Sequence, residues 1–166
     1  MLGLTSMGTV HTLIGILAVL AGAIAFLQHG RIMPSNRLGQ SYIVLTVLTC
    51  LTAFGIFQRG SFGDGHILAI LTLLVLFAAI MLHKTKLAGR FSLHLEVGLL
   101  SFSYFLHFIP AIVETSTRLP LGKPWASGPE DPKLQPVIGL LFLLLIIGLF
   151  LQMRMLRKQQ KNLPVE

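Results

Sequence analysis

The sequence predicts an all-α fold, a polytopic membrane helix bundle, and three observations predict it. The 166 residues are 54% hydrophobic and only 11% charged, against about a quarter charged in an ordinary soluble domain. The mean hydropathy is +0.79. The apolar residues are gathered into five runs, most near the roughly 20 residues a bilayer-spanning helix needs. Almost the whole chain is used by these runs, so a single transmembrane domain, residues 1–166, is expected.

In chain order the expected helices are 8–28, 41–58, 66–83, 93–113 and 136–153. The third and fifth are the clearest, since Ile67–Leu82 and Val137–Leu151 contain no charged residue. The second is diluted by Thr46, Thr49 and Thr52, whose hydroxyls can bond back to the helix's own carbonyls. The first begins MLGLTSMGTVH, without the basic stretch that opens a signal peptide, and reads as a retained helix. Residues 114–135 hold four prolines and form an external loop in which Trp125 can rest at the interface. Residues 154–166 form a basic tail.

Counting Lys and Arg orients the bundle. One side receives Arg31, Arg37, Lys84, Lys86, Arg90, Arg154, Arg157, Lys158 and Lys161; the other receives Arg59, Arg118, Lys123 and Lys133. Nine against four places the tail in the cytoplasm and Met1 outside. The +7 formal charge is therefore distributed as positive loops and does not indicate nucleic acid. A lone cysteine, Cys50, excludes an intrachain disulfide and CxxC chemistry. No Walker loop, GxSxG, HExxH or GxGxxG is present, so the common soluble enzyme classes gain no support.

Polar residues inside a membrane are costly and therefore informative. On the first helix His11, Gly15, Ala18, Gly22, Ala25 and His29 follow at spacings of 4, 3, 4, 3 and 4, a single stripe. Its small members, Gly15, Ala18, Gly22 and Ala25, make a packing face that a helix or a flat cofactor can approach closely. On the fourth helix Glu96, Leu100, Ser103, His107, Ala111 and Glu114 form a second stripe, which could bind a metal, relay protons or line an ion path.

With this topology His11, His66 and His107 lie towards the outer face, and His29, His83 and His94 towards the inner. Together with Asp64 and Glu114, the outer three could hold Zn, Fe or Mn, or two of them a b-type haem. A two-haem ladder fits the geometry less well than one outer site. His94 and His107 stand roughly 220° apart round an ideal helix, and His11 and His29 about 27 Å apart along one.

The stretch VHTLIGILAVLAGAIAFLQHGR, followed by RLGQSYIVLTVLTCLTAFGIF and SFGDGHILAILTLL, resembles the bacterial membrane proteins grouped as domain of unknown function 2306. His11, Gly15, Gly22, Gly30, Arg31, Arg37, Gly39 and Tyr42 carry the resemblance over about residues 9 to 118. Asn36 and Gln40 depart from it, standing where that family tends to have His and Arg. The resemblance implies a small polytopic protein of the bacterial cytoplasmic membrane and no particular reaction.

Three functions are compatible with these features. The first is a haem or transition-metal protein, with His11, His66 and His107 as ligands and Asp64 and Glu114 as further metal ligands. The second is a non-catalytic accessory subunit of a larger respiratory or photosynthetic membrane complex, or a homo-oligomer. The third is a small transporter using the Glu96, Ser103, His107, Glu114 stripe.

Overall fold

The computed structural model describes residues 5–57 and 62–161, the side chains of Gln160 and Lys161 excepted. Met1 and Arg59, both used in the topology argument, lie outside the described residues. The described residues form five α-helices and one short 3-10 turn, with no strand among them. The helices are α1 (Ser6–His29), α2 (Arg37–Ala53), α3 (Asp64–Thr85), α4 (Ser92–Arg118) and α5 (Leu134–Lys161).

Local chemistry sets the helix ends. The Thr5 side chain caps α1 by accepting from the Gly8 N–H, and Gly30 ends it in the left-handed conformation at φ 70°. Asn36 caps α2 by accepting from the Gly39 N–H at 2.7 Å. A side chain at Gly39 would run into the Met33 backbone carbonyl, so this tight hinge requires glycine. At α3 the His66 ring does the capping, its Nδ1 accepting the Gly63 N–H at 3.2 Å.

The helices are longer than the apolar runs, with one exception. The fourth runs five residues past the expected 113, to Arg118, and passes through Pro110. That proline withdraws one backbone donor without ending the helix. The fifth helix carries the basic residues expected in a free tail on its own last turns, out to Lys161. The second is shifted instead: it starts at Arg37, directly after its Asn36 cap, and stops at Ala53. Its expected end at 58 falls outside the described residues.

Among the described residues four helices are long and apolar enough to cross a membrane: α1, α3, α4 with its preceding turn, and α5. At 17 residues α2 is about 26 Å long, slightly short of a hydrocarbon core of roughly 30 Å. Burial is arranged as lipid requires. Leucines such as Leu13, Leu17, Leu74 and Leu143 are exposed, while Thr46, Ser103, Glu96 and Gln152 are buried. In a bilayer the apolar side chains gain nothing by turning inward, whereas polar groups must find partners inside the bundle. The chain is a membrane helix bundle.

Neighbours in sequence run antiparallel. His11 near the start of α1 reaches Thr49 and Thr52 near the end of α2, and His83 late in α3 meets Glu96 early in α4. The helices α2 and α4 run parallel, because Tyr42–Ser103 and Thr46–His107 are both bonded across the same interval of 61 residues. The central apolar cluster joins Ala21, Ala25, Ile32, Tyr42, Leu76, Ala79 and Leu100. At one edge α5 is fastened through Gln152, which accepts from Ser101 at 2.8 Å and donates to the Gly30 carbonyl at 2.9 Å.

Candidate functional site: a hydroxyl chain between two histidines and a leucine carbonyl

The small-residue stripe of α1 creates the space for the site. Ala18 and Ala25 are fully buried. A Cβ on Gly22 would come within 2.6 Å of the Tyr104 ring and 3.1 Å of the Tyr42 ring. The missing side chain admits Tyr104 of α4 and Tyr42 of α2, and the Tyr104 hydroxyl donates to the Val19 carbonyl at 3.3 Å. Gly15 is less constrained, its nearest neighbour being the Thr49 methyl at 3.6 Å.

Against this face lies a line of buried hydroxyls. Thr46, Tyr42 and Ser103 are wholly buried. The His107 Nε2 and the Thr46 Oγ1 are 3.0 Å apart, and the Tyr42 hydroxyl is 2.8 Å from the Ser103 Oγ. The Tyr42 hydroxyl also interacts with the Thr46 side chain. Ser103 donates to the Leu100 carbonyl at 2.8 Å.

The direction of the Tyr42–Ser103 bond follows from that last bond. A carbonyl only accepts, and a hydroxyl has one hydrogen to give. Ser103 gives its hydrogen to Leu100, so Tyr42 donates to Ser103. Where the Thr46 hydroxyl gives its hydrogen to Tyr42, His107 donates to Thr46 through Nε2–H and the neutral ring keeps its lone pair on Nδ1.

His11 is fixed by the same logic. Its Nδ1 lies 3.0 Å from both the Thr49 carbonyl and the Thr52 Oγ1. Against a carbonyl the ring nitrogen must be the donor, so neutral His11 has its lone pair on Nε2. His11 is within electrostatic reach of Glu114 and of His107. Two imidazoles, His11 with its tautomer fixed by the Thr49 carbonyl, thus stand at the same end of the bundle.

The other expected site residues are placed differently. His66 is buried among Phe54, Phe57 and Phe62, with ring centroids 6.1, 5.0 and 4.7 Å away. Its Nδ1 is used in capping α3. Asp64, the first residue of α3, is exposed, where a carboxylate complements the helix N-terminus. Glu114 is paired with Arg118 one turn on, at 2.5 Å. Among the described residues no group of three or more His, Cys, Asp or Glu is placed to hold a metal ion. The five-residue ligand set expected from the topology therefore does not fit a metal in this structure. Being at one end of a bundle does not bring side chains from three helices to a point.

On α4, Glu96, Leu100 and Ser103 all face the interior, His107 is half-buried, and Ala111 is exposed. At the opposite end from His11, His29 is exposed, while His83 Nδ1 lies 3.1 Å from the Glu96 carboxylate. Sequence reasoning missed the parts played by Tyr42, Thr46 and Gln152. Gln152, a polar residue at the end of an otherwise apolar run, was the available signal for the last. No family model, curated protein or solved structure matches the chain.

Proposed function

We propose that this is a small proton-handling membrane protein, which takes up a proton at His11 and His107 and passes it along the Thr46, Tyr42, Ser103 hydroxyls. The observation that carries this reading is the line of buried hydroxyls beside His107, whose Ser103 end points to the Leu100 carbonyl. A chain in which every member accepts behind and donates ahead can transfer a proton by each group handing on its own hydrogen. The two imidazoles supply the basic nitrogens at its start.

The reading places the bundle in the bacterial cytoplasmic membrane with five spans, the N-terminus outside and the C-terminus inside. The short α2 is the second span. Its support is the alternation of direction along the chain and the contact of α2 with α1 from His11 at one end to Gly22 at the other. On this topology the histidine pair opens to the outer side. The resemblance to domain of unknown function 2306 is part of the same proposal.

The test is proton flux in proteoliposomes carrying an internal pH-sensitive dye and a potassium–valinomycin diffusion potential. The wild-type protein is expected to carry a flux above protein-free liposomes, and His107→Phe to remove it. A wild-type flux equal to that of empty liposomes overturns the reading.

A second reading rests on the same two lone pairs, His11 Nε2 and His107 Nδ1. In it the two imidazoles would hold a b-type haem or a transition metal in place of the larger set. A reducible Soret band, or near-stoichiometric metal lost in His107→Ala, would favour it over proton transfer.

A further inference from the structure

The hydroxyl line ends in the middle of the bundle. Its last acceptor, the Leu100 carbonyl, has no hydrogen to hand on. Below it the interior is apolar: the Leu100 side chain is fully buried against a cluster that includes Leu76 and Ala79 of α3. One turn further on, α4 presents Glu96, whose side chain is only 4% exposed, with the His83 ring 3.1 Å away and 30% exposed. The spacing of Leu76, Ala79 and His83 places all three on one face of α3, opposite Leu100 and Glu96 on α4.

A carboxylate is rarely buried without a purpose or a partner. Here the partner is an imidazole that touches both the buried carboxylate and the surroundings, the arrangement a proton shuttle needs. Among the described residues His83 is the titratable group within ion-pair distance of Glu96. Of the cations of the same end, Arg37, Lys84, Lys86 and Arg90 are exposed, while Arg31 is half-buried with its Nη1 buried and without a hydrogen-bond partner.

We propose that the Glu96–His83 pair is a second proton-binding station, opening to the opposite membrane face, and that the Leu100 layer is the barrier between it and the hydroxyl line. The proposal rests on the proton-handling reading of the His107 end. Ser103 and Glu96 are seven residues apart, roughly 10 Å along α4. A proton entering at His107 displaces one at Ser103. When the Leu100 side chain moves and water enters, that proton is taken by a Glu96 carboxylate oxygen, giving the neutral acid. It leaves through His83, whose imidazole accepts it and releases it to the aqueous side.

Proteoliposome flux with Leu100→Asn, which hydrates the barrier, tests this. The substitution is expected to raise the proton flux well above wild type, and adding Glu96→Gln to abolish the increase, while adding Glu130→Gln in the exposed loop leaves it unchanged. An increase that survives Glu96→Gln but is lost with His107→Phe overturns this inference and leaves the His107 reading standing. An increase lost with Glu96→Gln but kept with His107→Phe supports the station and overturns the other reading. Infrared difference spectra of the wild-type protein between acid and alkaline buffer stand independently of Leu100→Asn folding. They should contain a carboxyl stretching band that Glu96→Gln removes and His83→Phe shifts; a Glu96-dependent band that is absent overturns the station.

Discussion

The hydroxyls of Tyr42 and Ser103 meet at 2.8 Å in the centre of the bundle, both residues wholly out of contact with the surroundings. This bond ties α2 to α4, which run in the same direction and are separated in the sequence by α3. Its own direction, from Tyr42 to Ser103, is set by the bond from Ser103 to the Leu100 carbonyl. Removing the donor at Tyr42 leaves the Ser103 oxygen without its partner. Tyr42→Phe is therefore expected to destabilise the bundle by about 0.5–1.5 kcal/mol, measured by thermal unfolding in detergent. Proton flux should fall with it, because the phenyl ring cannot hand on a hydrogen. Full flux in Tyr42→Phe would remove Tyr42 from the line.

Gly22 and Gly15 lie on one stripe and should respond differently. At Gly22 any side chain meets the Tyr104 ring at 2.6 Å, so Gly22→Leu is expected to cost at least the ~1–3 kcal/mol of an overpacked core. At Gly15 the added methyl would make an ordinary contact at 3.6 Å. With the helix propensity of alanine in its favour, Gly15→Ala should be neutral or stabilising, by up to about 1 kcal/mol. Unfolding curves of the two variants side by side check this. Equal tolerance at both positions would mean that Tyr104 does not occupy the notch.

At the hinge before α2, Asn36→Ala removes the acceptor for the Gly39 N–H and should cost about 0.5–2 kcal/mol. Gly39→Ala should be the more damaging, because its Cβ meets the backbone carbonyl of Met33, which cannot rotate away. Expression and thermal stability of the pair give the order.

In the loop before α5, the Ser127 and Lys133 backbone N–H groups hold the Asp131 carboxyl below its ordinary value of 3.8. They donate to it at 2.8 and 3.0 Å, and the Ser127 hydroxyl adds a third bond at 3.0 Å. A depressed carboxylate contributes order that is present above its unfolded value and lost as pH falls through the lower, folded one. The loop should thus keep its form at neutral pH and loosen only in acid below about pH 3.8. The single tryptophan reports this, since the Lys133 Nζ donates to the Trp125 carbonyl at 3.0 Å. Asp131→Asn should give the acid-form Trp125 fluorescence at neutral pH, and an unchanged spectrum would contradict it.

The helical architecture was legible because a bilayer forces it: long apolar runs can satisfy their backbone only as helices. Spacing alone drew the stripes of α1 and α4; of their members Ala18, Ala25, Glu96 and Ser103 are buried, while His29 and Ala111 are exposed. Partners were harder to read, because periodicity gives a face and not the residue opposite. Thr49 and Thr52 do bond back to the carbonyls of Leu45 and Leu48, whereas Thr46, one turn earlier, meets His107 instead. His66 shares an end of the bundle with His11, but its first-turn position in α3 commits one ring nitrogen to the cap and surrounds the ring with phenylalanines. Asp64 belongs to the same turn and is exposed. The direction of the Tyr42–Ser103 bond depends on one bond to a carbonyl, which no sequence pattern reveals.

A common direction along the whole line is the central claim, and nitrogen-15 NMR of the histidine-labelled protein in lipid bilayers tests it most directly. His11→Gln and His107→Gln identify the two resonance pairs. In alkaline buffer the account predicts neutral His107 with its hydrogen on Nε2 and neutral His11 with its hydrogen on Nδ1, both becoming doubly protonated as the sample is acidified. His107 carrying its hydrogen on Nδ1, or both rings unchanged across the whole range, would contradict it.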